Sequence, residues 1–347
     1  MALTSAGADA TRIYDELLVT TAEHIHPGIV ENAIDNSPAT SIFLGKIGAA
    51  LNGAIGGDNT PAAAGAEAVT GESIRVNVKL GKNDSFRWLS SGFGEISLDT
   101  SDTARGSRAN FKLGAGSVVI DGSTLRKNSG AAQVASILRH KQDDTVSSMV
   151  DYVGDAMLAS SASPNAITSL LEIISANDEI QSLNGSTFTN WNSRGISDKG
   201  TAPGSISFAS GSFATRGISD FRAAYMNAEE GSIKPNVILT TDSIYRFYEG
   251  SLTPQVRFED LRVGDMSFNQ IRFKDAPIFH DPKVPSGTAL FLNTDFIGMR
   301  HLPGALFDIS PMERGNNQDA FVAPVLFEGQ LCCSARKYNN KLTGITA

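Results

Sequence analysis

Three short constellations in this chain carry residue types that do chemistry. His24-Ile-His26 spaces two imidazoles so that both could reach one metal ion, but the chain has only five histidines and no carboxylate partner at a convincing spacing. The pair reads as an exposed helix end before Pro27. His280-Asp281 has the types of a base and its orienting carboxylate, yet Pro282 follows at once, which reads as a strand-ending turn. Cys332-Cys333 are neighbours in a strand pattern, so their side chains take opposite faces. They suit small buried hydrophobes better than redox work, and a reducing compartment better than a disulfide. The nucleotide fingerprints are missing: Gly45-Lys46 runs into Ile47 where a P-loop needs Ser or Thr, and no GxGxxG joins a strand to a helix. HExxH, GxSxG and CxxC do not occur either. The expectation is a chain with no catalytic, cofactor or metal site.

Charge narrows the partners. Across 347 residues the formal net charge is −8, with 41% hydrophobic and 19% charged residues, an ordinary balance for a folded domain. An acidic chain is a poor phosphate neutraliser, although it suits a wall that encloses nucleic acid without sticking to it. Arg105, Arg108, Lys112, Arg126 and Lys127 are interleaved with Gly and Ser; a solvated or salt-bridging face explains them better than nucleic-acid contact. No apolar run approaches the ~18 residues that span a bilayer, and MALTSAGADATR has neither the basic nor the apolar region of a signal peptide.

The elements that must position these residues fall in a clear order. Ile13, Leu17, Leu18 and Ile25 keep roughly helical spacing, and a second short pattern through Ile29, Val30, Ala33 and Ile34 ends at Ser37-Pro38. Both are too short to form a core alone, so they predict an arm lying on something else. Residues 45–71 are a Gly/Ala-rich connector. Ile74, Val76, Val78 and Leu80 then alternate with polar residues as a half-buried strand should. Return strands are expected through Phe86, Trp88 and Leu89 and through Phe93, Ile96 and Leu98. Such a hairpin is marginal by itself, and covering by another subunit is as open a possibility as covering by its own chain.

Phe111, Leu113 and Val118-Val-Ile120 with the Asp121-Gly122 turn suggest a further strand pair. Residues 133–160 hold the longest helical stripe (Val134, Ile137, Leu138, Val146, Met149, Val150, Val153, Met157), a helix of roughly 40 Å. Ser163-Pro-Asn165 is expected to open a short helix, residues 184–212 a long surface loop around Trp191, and 213–230 a helix closed by Gly231. Residues 233–293 then read as a small α+β layer: strand Val237-Ile-Leu239, a helix capped from Thr241-Asp242-Ser243, and strands through Phe268, Ile271 and Phe273, through Pro277-Ile-Phe279 and through Ala289–Leu292. Phe321, Val325, Phe327 and Leu331 predict a long bent strand with an irregularity at Gly329.

Arm, hairpin, long helix, mixed lobe and returning strand, in that order, resemble the major capsid proteins of tailed bacteriophages with the Hong Kong 97-type fold. The likeness rests on SVVIDGSTLRKNSG before the long helix, on KPNVILTTDSIYRFYEG, QVRFED and MSFNQIRFKDAPIFHDPKVPSGTALFLN in the lobe, and on GQLCCSARKYNNKLTGI near the end. It implies an α+β chain with an N-terminal arm and connector (1–58), an extension loop (59–112) and a peripheral domain (113–176) with its spine helix at about 131–160. An axial domain (177–317) and a C-terminal strand returning through the peripheral domain (318–347) complete it. It further implies self-assembly into hexamers and pentamers of an icosahedral virion shell around double-stranded DNA, with no enzymatic activity, no membrane, and separate scaffolding, portal and decoration proteins as partners. Subunit contacts are expected at Ile74, Val76, Val78, Lys79, Lys82, Phe86, Arg87 and Trp88 of the hairpin, and at Asp281 and Pro285 of the lobe's turns. One family member joins subunits by a Lys–Asn isopeptide bond; Lys79 or Lys82 and Asn339 or Asn340 have the residue types for it, although hairpin lysines are ordinarily solvated edges. Competing readings are an encapsulin-type compartment with the same contacts, a soluble α/β enzyme resting on His280-Asp281, and a surface adhesin.

Overall fold

The computed structural model describes residues 37–44, 67–83, 85–89, 92, 103–127, 137–161, 163–175, 178–193, 205–207, 213–251, 271–315 and 318–345. The expected arm before residue 37, His24 and His26, the Gly/Ala-rich connector up to residue 66, the strand through Phe93, Ile96 and Leu98, Phe268, and the start of the long helix lie outside them. In chain order the elements are α1 (Pro38–Leu44), β1 (Glu67–Ala68), β2 (Ser73–Lys79), β3 (Ala104–Asn110), β4 (Lys112–Asp121), α2 (Gly122–Lys127), α3 (Ile137–Leu158) and α4 (Leu170–Ile173). Then come β5 (Glu179–Ile180), β6 (Leu183–Asn184), β7 (Ser205–Ser207), α5 (Phe213–Ala228), β8 (Val237–Thr240), α6 (Asp242–Ser251), β9 (Arg272–Phe273) and β10 (Ala276–His280). The chain ends with β11 (Ala289–Leu292), β12 (Ile297–Ile309), β13 (Glu313–Arg314), β14 (Ala320–Cys333) and β15 (Asn340–Thr343).

Two sheets divide the molecule. In the first, β14 is central: β12 and β4 flank it antiparallel, β1 lies parallel to β12, and β13 adds to β14. The second runs β7-β15-β11-β8-β10-β9. β8 and β11 are buried on every residue because they separate two cores. Val237, Leu239, Leu290 and Leu292 join the core under the first sheet, whereas Ile238, Ala289 and Phe291 face α5 and α6. A strand covered on both faces reads as a continuous apolar run rather than an alternation, which is how VIL and ALFL appear in the sequence. Under the helices the packing is aromatic: the Phe221 ring lies 5.2 Å from Phe291 and 5.8 Å from Phe273, edge to face.

The long helix α3 lies across β4, its stripe of Val146, Met149, Val150, Val153 and Met157 turned into the first core. Two glycines permit the approach. A Cβ on Gly116 of β4 would meet Met149 Sδ at 2.6 Å, and one on Gly154 of α3 would meet Thr40 Oγ1 of α1 at 2.5 Å. Opposite Gly329 and Phe327 the register of β12 slips between His301 and Asp308, so the expected irregularity falls mainly on the partner strand. Phe307 takes φ 54° there and stacks on Phe327 at 5.1 Å.

Several expectations are corrected. β2 pairs with residues 104–110, not with Phe86–Leu89. β4 pairs with β14, and Asp121-Gly122 opens α2 rather than turning into a partner strand. Ser163-Pro-Asn165 is a turn; the short helix starts only after Ser169, whose hydroxyl and the Glu172 carboxylate form a reciprocal capping box. Gly231 sits in a tight turn bridged by Glu230 and Ile233, beyond the end of α5 at Ala228. Ser37 and Pro38, expected to close a helical pattern that lies outside the described residues, are the N-cap and first residue of α1.

Candidate assembly surfaces

The β2–β3 ribbon supplies most of the expected contact residues, and its two ends differ. At its base Ile74 is 1% exposed and packs with Ala109 against Cys332, with Val76 and Phe111 beside them. Farther along, Leu80 packs with Leu183 and Trp191, and Val78 with Phe188. The apolar face of the ribbon is therefore covered by its own chain, with Ile74 buried inside the subunit rather than at a subunit contact. The cover comes from Cys332 and from residues 178–193, of which 184–193 belong to the expected surface loop. That segment looked like a loop because its order rests on side-chain bonds rather than periodicity: Asn184 Oδ1 accepts from Ser186 N, Asn190 Nδ2 donates to Leu80 O, and Asn192 Nδ2 donates to Gly185 O.

Beyond Leu80 the cover stops. Phe86 is 72% exposed, Trp88 91% and Leu89 45%, with the Phe86 and Trp88 rings edge to face at 5.3 Å. Lys79, Lys82 and Arg87 are exposed around them. On the outward face of the ribbon Arg75 stands directly across from Arg108, which pairs with the exposed Glu72 at 3.4 Å. Elsewhere an apolar groove of about 190 Å³ runs between β4 and α3, lined by Leu113, Met149, Tyr152, Asn165, Ile167 and Phe327. Leu113 and Tyr152 stand exposed at its margin.

Asp281 faces inward. It is 0% exposed, and its Oδ2 accepts from Ser37 Oγ at 2.5 Å and from Ala39 N at 3.0 Å, while Oδ1 accepts from Lys283 N at 2.9 Å. The carboxylate thus caps α1 from 242 residues away, satisfying a helix-start N–H that has no intrahelical acceptor. Two residues on, Lys283 Nζ reaches α3: it pairs with Asp151, donates to the Asp151 carbonyl at 2.8 Å and to Asp155 Oδ1 at 2.6 Å. Burial lowers the lysine pKa, but the two carboxylates outweigh it and leave the group above the ordinary lysine value. The turn after β10 therefore pins α1, α3 and the second sheet together. Asp281, expected at a subunit contact, is an internal strut. Pro285 is half-buried in the following turn, where its carbonyl accepts from Thr288 N, and His280 is exposed beside Tyr245.

Other expected chemistry is absorbed by the fold. Cys332 and Cys333 are both buried, one against the ribbon and one in the first core, and burial pushes both thiols up to about 12. Asn339 and Asn340 are both fully buried. The Asn339 amide accepts from Asn293 N and donates to Ala335 O; the Asn340 amide accepts from Lys341 N and donates to Ala224 O. Both amides are thus taken up inside the subunit, although Asn339 and Asn340 have the residue type of an isopeptide acceptor. Arg126 and Arg108 pair with Asp319 and Glu72, and Lys112 Nζ donates to Pro164 O. Among the described residues no group of three His, Cys, Asp or Glu could hold a metal ion, and no helix is long and apolar enough to cross a membrane.

No family model matches the sequence, and no curated protein matches it. Solved structures do match over nearly the whole chain. The cyanophage A-1(L) capsid protein superposes with a TM-score of 0.61 at 13% identity, covering 95% of this chain and 98% of its own. The capsid of the native GTA particle gives 0.58 at 12% identity, with 99% and 100% covered. The holo-SrpI encapsulin from Synechococcus elongatus gives 0.55 at 13%, with 99% and 96% covered. The chain shares the mixed α/β fold of these capsid and encapsulin structures.

Proposed function

We propose that this chain is the major capsid protein of a tailed phage, a structural subunit without enzymatic activity. One observation carries the reading: capsid structures match it over 95% or more of both chains. In this reading the β2–β3 ribbon is the extension loop and α3 the spine of a peripheral domain. The six-stranded sheet with α5 and α6 is the axial domain, and β12 and β14 tie the two together. The exposed aromatic tip at Phe86 and Trp88 would seat on the Leu113–Tyr152 groove of a neighbouring copy, an apolar projection and an apolar recess on the same chain. Copies related by such a contact close into hexamers and pentamers, and the net charge of −8 suits a wall around double-stranded DNA. Scaffolding, portal and decoration proteins would be separate chains.

Negative-stain microscopy of the expressed protein tests this. Capsomers or closed shells are expected; uniformly small particles under every assembly condition would sink it. A second reading, an encapsulin-type compartment, is favoured by the comparable match to the holo-SrpI encapsulin. Purified particles decide between them, since nuclease-protected DNA supports the virion and a co-purifying protein cargo supports the compartment.

A further inference from the structure

The turn between β5 and β6 occupies a place that no element of the fold needs for its own sake. β4 leaves the edge of β14 at Gly329, opposite Lys112, as the chain passes through Phe111 into the ribbon. From there to the end of β14 no strand among the described residues pairs with that edge. Ser334 N bonds Phe296 O on the β12 side, so the preceding residue, Cys333, turns its N–H and C=O to the open edge. Gln181 fills the gap: its side-chain amide lies 2.7 and 2.8 Å from Cys333 N and O, and the amide orientation assigned from these neighbours, with its oxygen toward Cys333 N and its N–H2 toward Cys333 O, accepts from the first and donates to the second. A side-chain amide has the donor and acceptor of a peptide group, so Gln181 stands in for the missing strand. The backbone of the same turn holds the other partner. Arg108 N, on the free edge of β3, donates to Gln181 O at 2.8 Å, and Ser182 Oγ donates to Arg108 O at 3.2 Å. Gln181 and Ser182 both adopt positive φ, 54° and 60°, a geometry that two-residue turns ordinarily give to Asn or Gly. The residues kept there are the ones whose side chains make these bonds.

We propose that Gln181 is a positioning residue, a clip that joins the ribbon to the first sheet and fixes the direction in which Phe86 and Trp88 are held out. Residues 183–193 continue the clip as a bracket, with Phe188 and Trp191 under Val78 and Leu80. Arg336, 1% exposed, anchors the bracket, bonding Ile173 O and Ser175 O while its guanidinium lies 5.8 Å from the Trp191 ring centre. The ribbon is thus set within the subunit before any neighbour arrives. The significance for assembly rests on the shell reading above; the clip itself does not.

The test is amide hydrogen exchange on the full-length, unassembled protein, comparing wild type with Gln181→Ala and Ser182→Gly. Gln181→Ala is expected to accelerate exchange in residues 73–79 and 104–110 by at least about tenfold, with α3 and the six-stranded sheet unchanged. Ser182→Gly, which loses one exposed bond and relieves a positive φ, is expected to change the ribbon less than about threefold. Gln181→Asn, one methylene shorter, should fail to restore protection. Unchanged ribbon exchange in Gln181→Ala would overturn the proposal, and so would acceleration spread evenly through every element. If the ribbon loosens as expected while wild-type protein never forms a shell, the clip stands and the capsid reading falls.

Discussion

The base and the tip of one ribbon show two solutions to the same problem. Both carry apolar side chains on a two-stranded element that cannot bury them by itself. At the base, Ile74 and Leu80 are buried against Cys332, Leu183 and Trp191 of the same chain. At the tip, Phe86 and Trp88 are exposed and, among the described residues, lie edge to face with each other. The chain thus invests in ordering the lever and leaves its end uncovered. Under the capsid reading proposed above, the base would hold the folding residues and the tip the assembly residues. Substitutions at the two ends should therefore fail in different assays.

The largest effect on the isolated subunit is expected at the base. Trp191→Ala opens a cavity under Leu80 and removes the ring beside Arg336, so it should lower unfolding stability by about 3–5 kcal/mol. Trp191→Phe should cost less than ~1.5 kcal/mol, because the buried indole N–H has no partner among the described residues and its loss strands none of them. Urea denaturation of unassembled protein measures both; equal losses for Ala and Phe would mean that the bracket is not what covers the ribbon.

Next comes the junction that holds the ribbon's platform. Asp281→Ala removes the acceptor of three hydrogen bonds at a fully buried site, which should cost about 3 kcal/mol. It should also release α1 first, read as new proteolysis near residues 37–44 ahead of global unfolding. Lys283→Met should cost about 2 kcal/mol at neutral pH, since it leaves two partly exposed carboxylates facing a buried methylene chain. The sign of its pH dependence follows from a folded pKa raised above the ordinary 10.5. The lysine's contribution is complete below that value and is lost as pH rises through the higher folded one. Wild type and Lys283→Met should therefore differ by a constant amount from neutral pH to about pH 10 and converge above it. A gap that widens with alkalinity would contradict the assignment.

How far the sequence displays this organisation depends on whether a signal is local. The β8–α6–β10–β11 lobe was readable because each piece carries its own cue: continuous apolar runs, a Thr-Asp-Ser cap, Pro and Gly at the turns. The stripe of α3 was readable for the same reason. β3 was not, because ARGSRAN has no apolar run; its inward residues are the small Ser107 and Ala109, which leave room for Cys332 and the 181–182 turn. β12 carries Pro303-Gly304 at its register slip and so looks broken. The bracket at 178–193 hides its largest core residue, Trp191, in a polar stretch. Asp281 looks like a turn residue since its partners Ser37 and Ala39 lie more than 240 positions away. The Ser37-Pro38 pair did carry a helix-start signal, but it followed a helical pattern and so read as an ending. The exposed aromatics at the tip were visible as residues, whereas the division of the ribbon into a covered base and a bare tip needed the fold.

The smallest effect on folding is expected at the tip, and it is the sharpest test of the comparison. Trp88→Ser alters a side chain that is 91% exposed, so subunit stability should change by no more than about 0.5 kcal/mol. If Trp88 anchors a contact between copies, the same substitution removes a central aromatic from every such contact, a loss of about 2 kcal/mol or more each. The concentration needed for assembly should then rise roughly 30-fold. Phe86→Ser should follow in the same direction with a smaller shift, because the ring buttresses Trp88 edge to face. Light scattering across a concentration series, run beside urea denaturation of the same samples, reads both quantities. Trp191→Phe provides the contrast: a change at the covered base that spares the tip should leave the assembly threshold where it was. If Trp88→Ser assembles at the wild-type threshold, the bare tip is not a contact. If it unfolds the subunit, the tip belongs with the base, and the two ends of the ribbon are one surface after all.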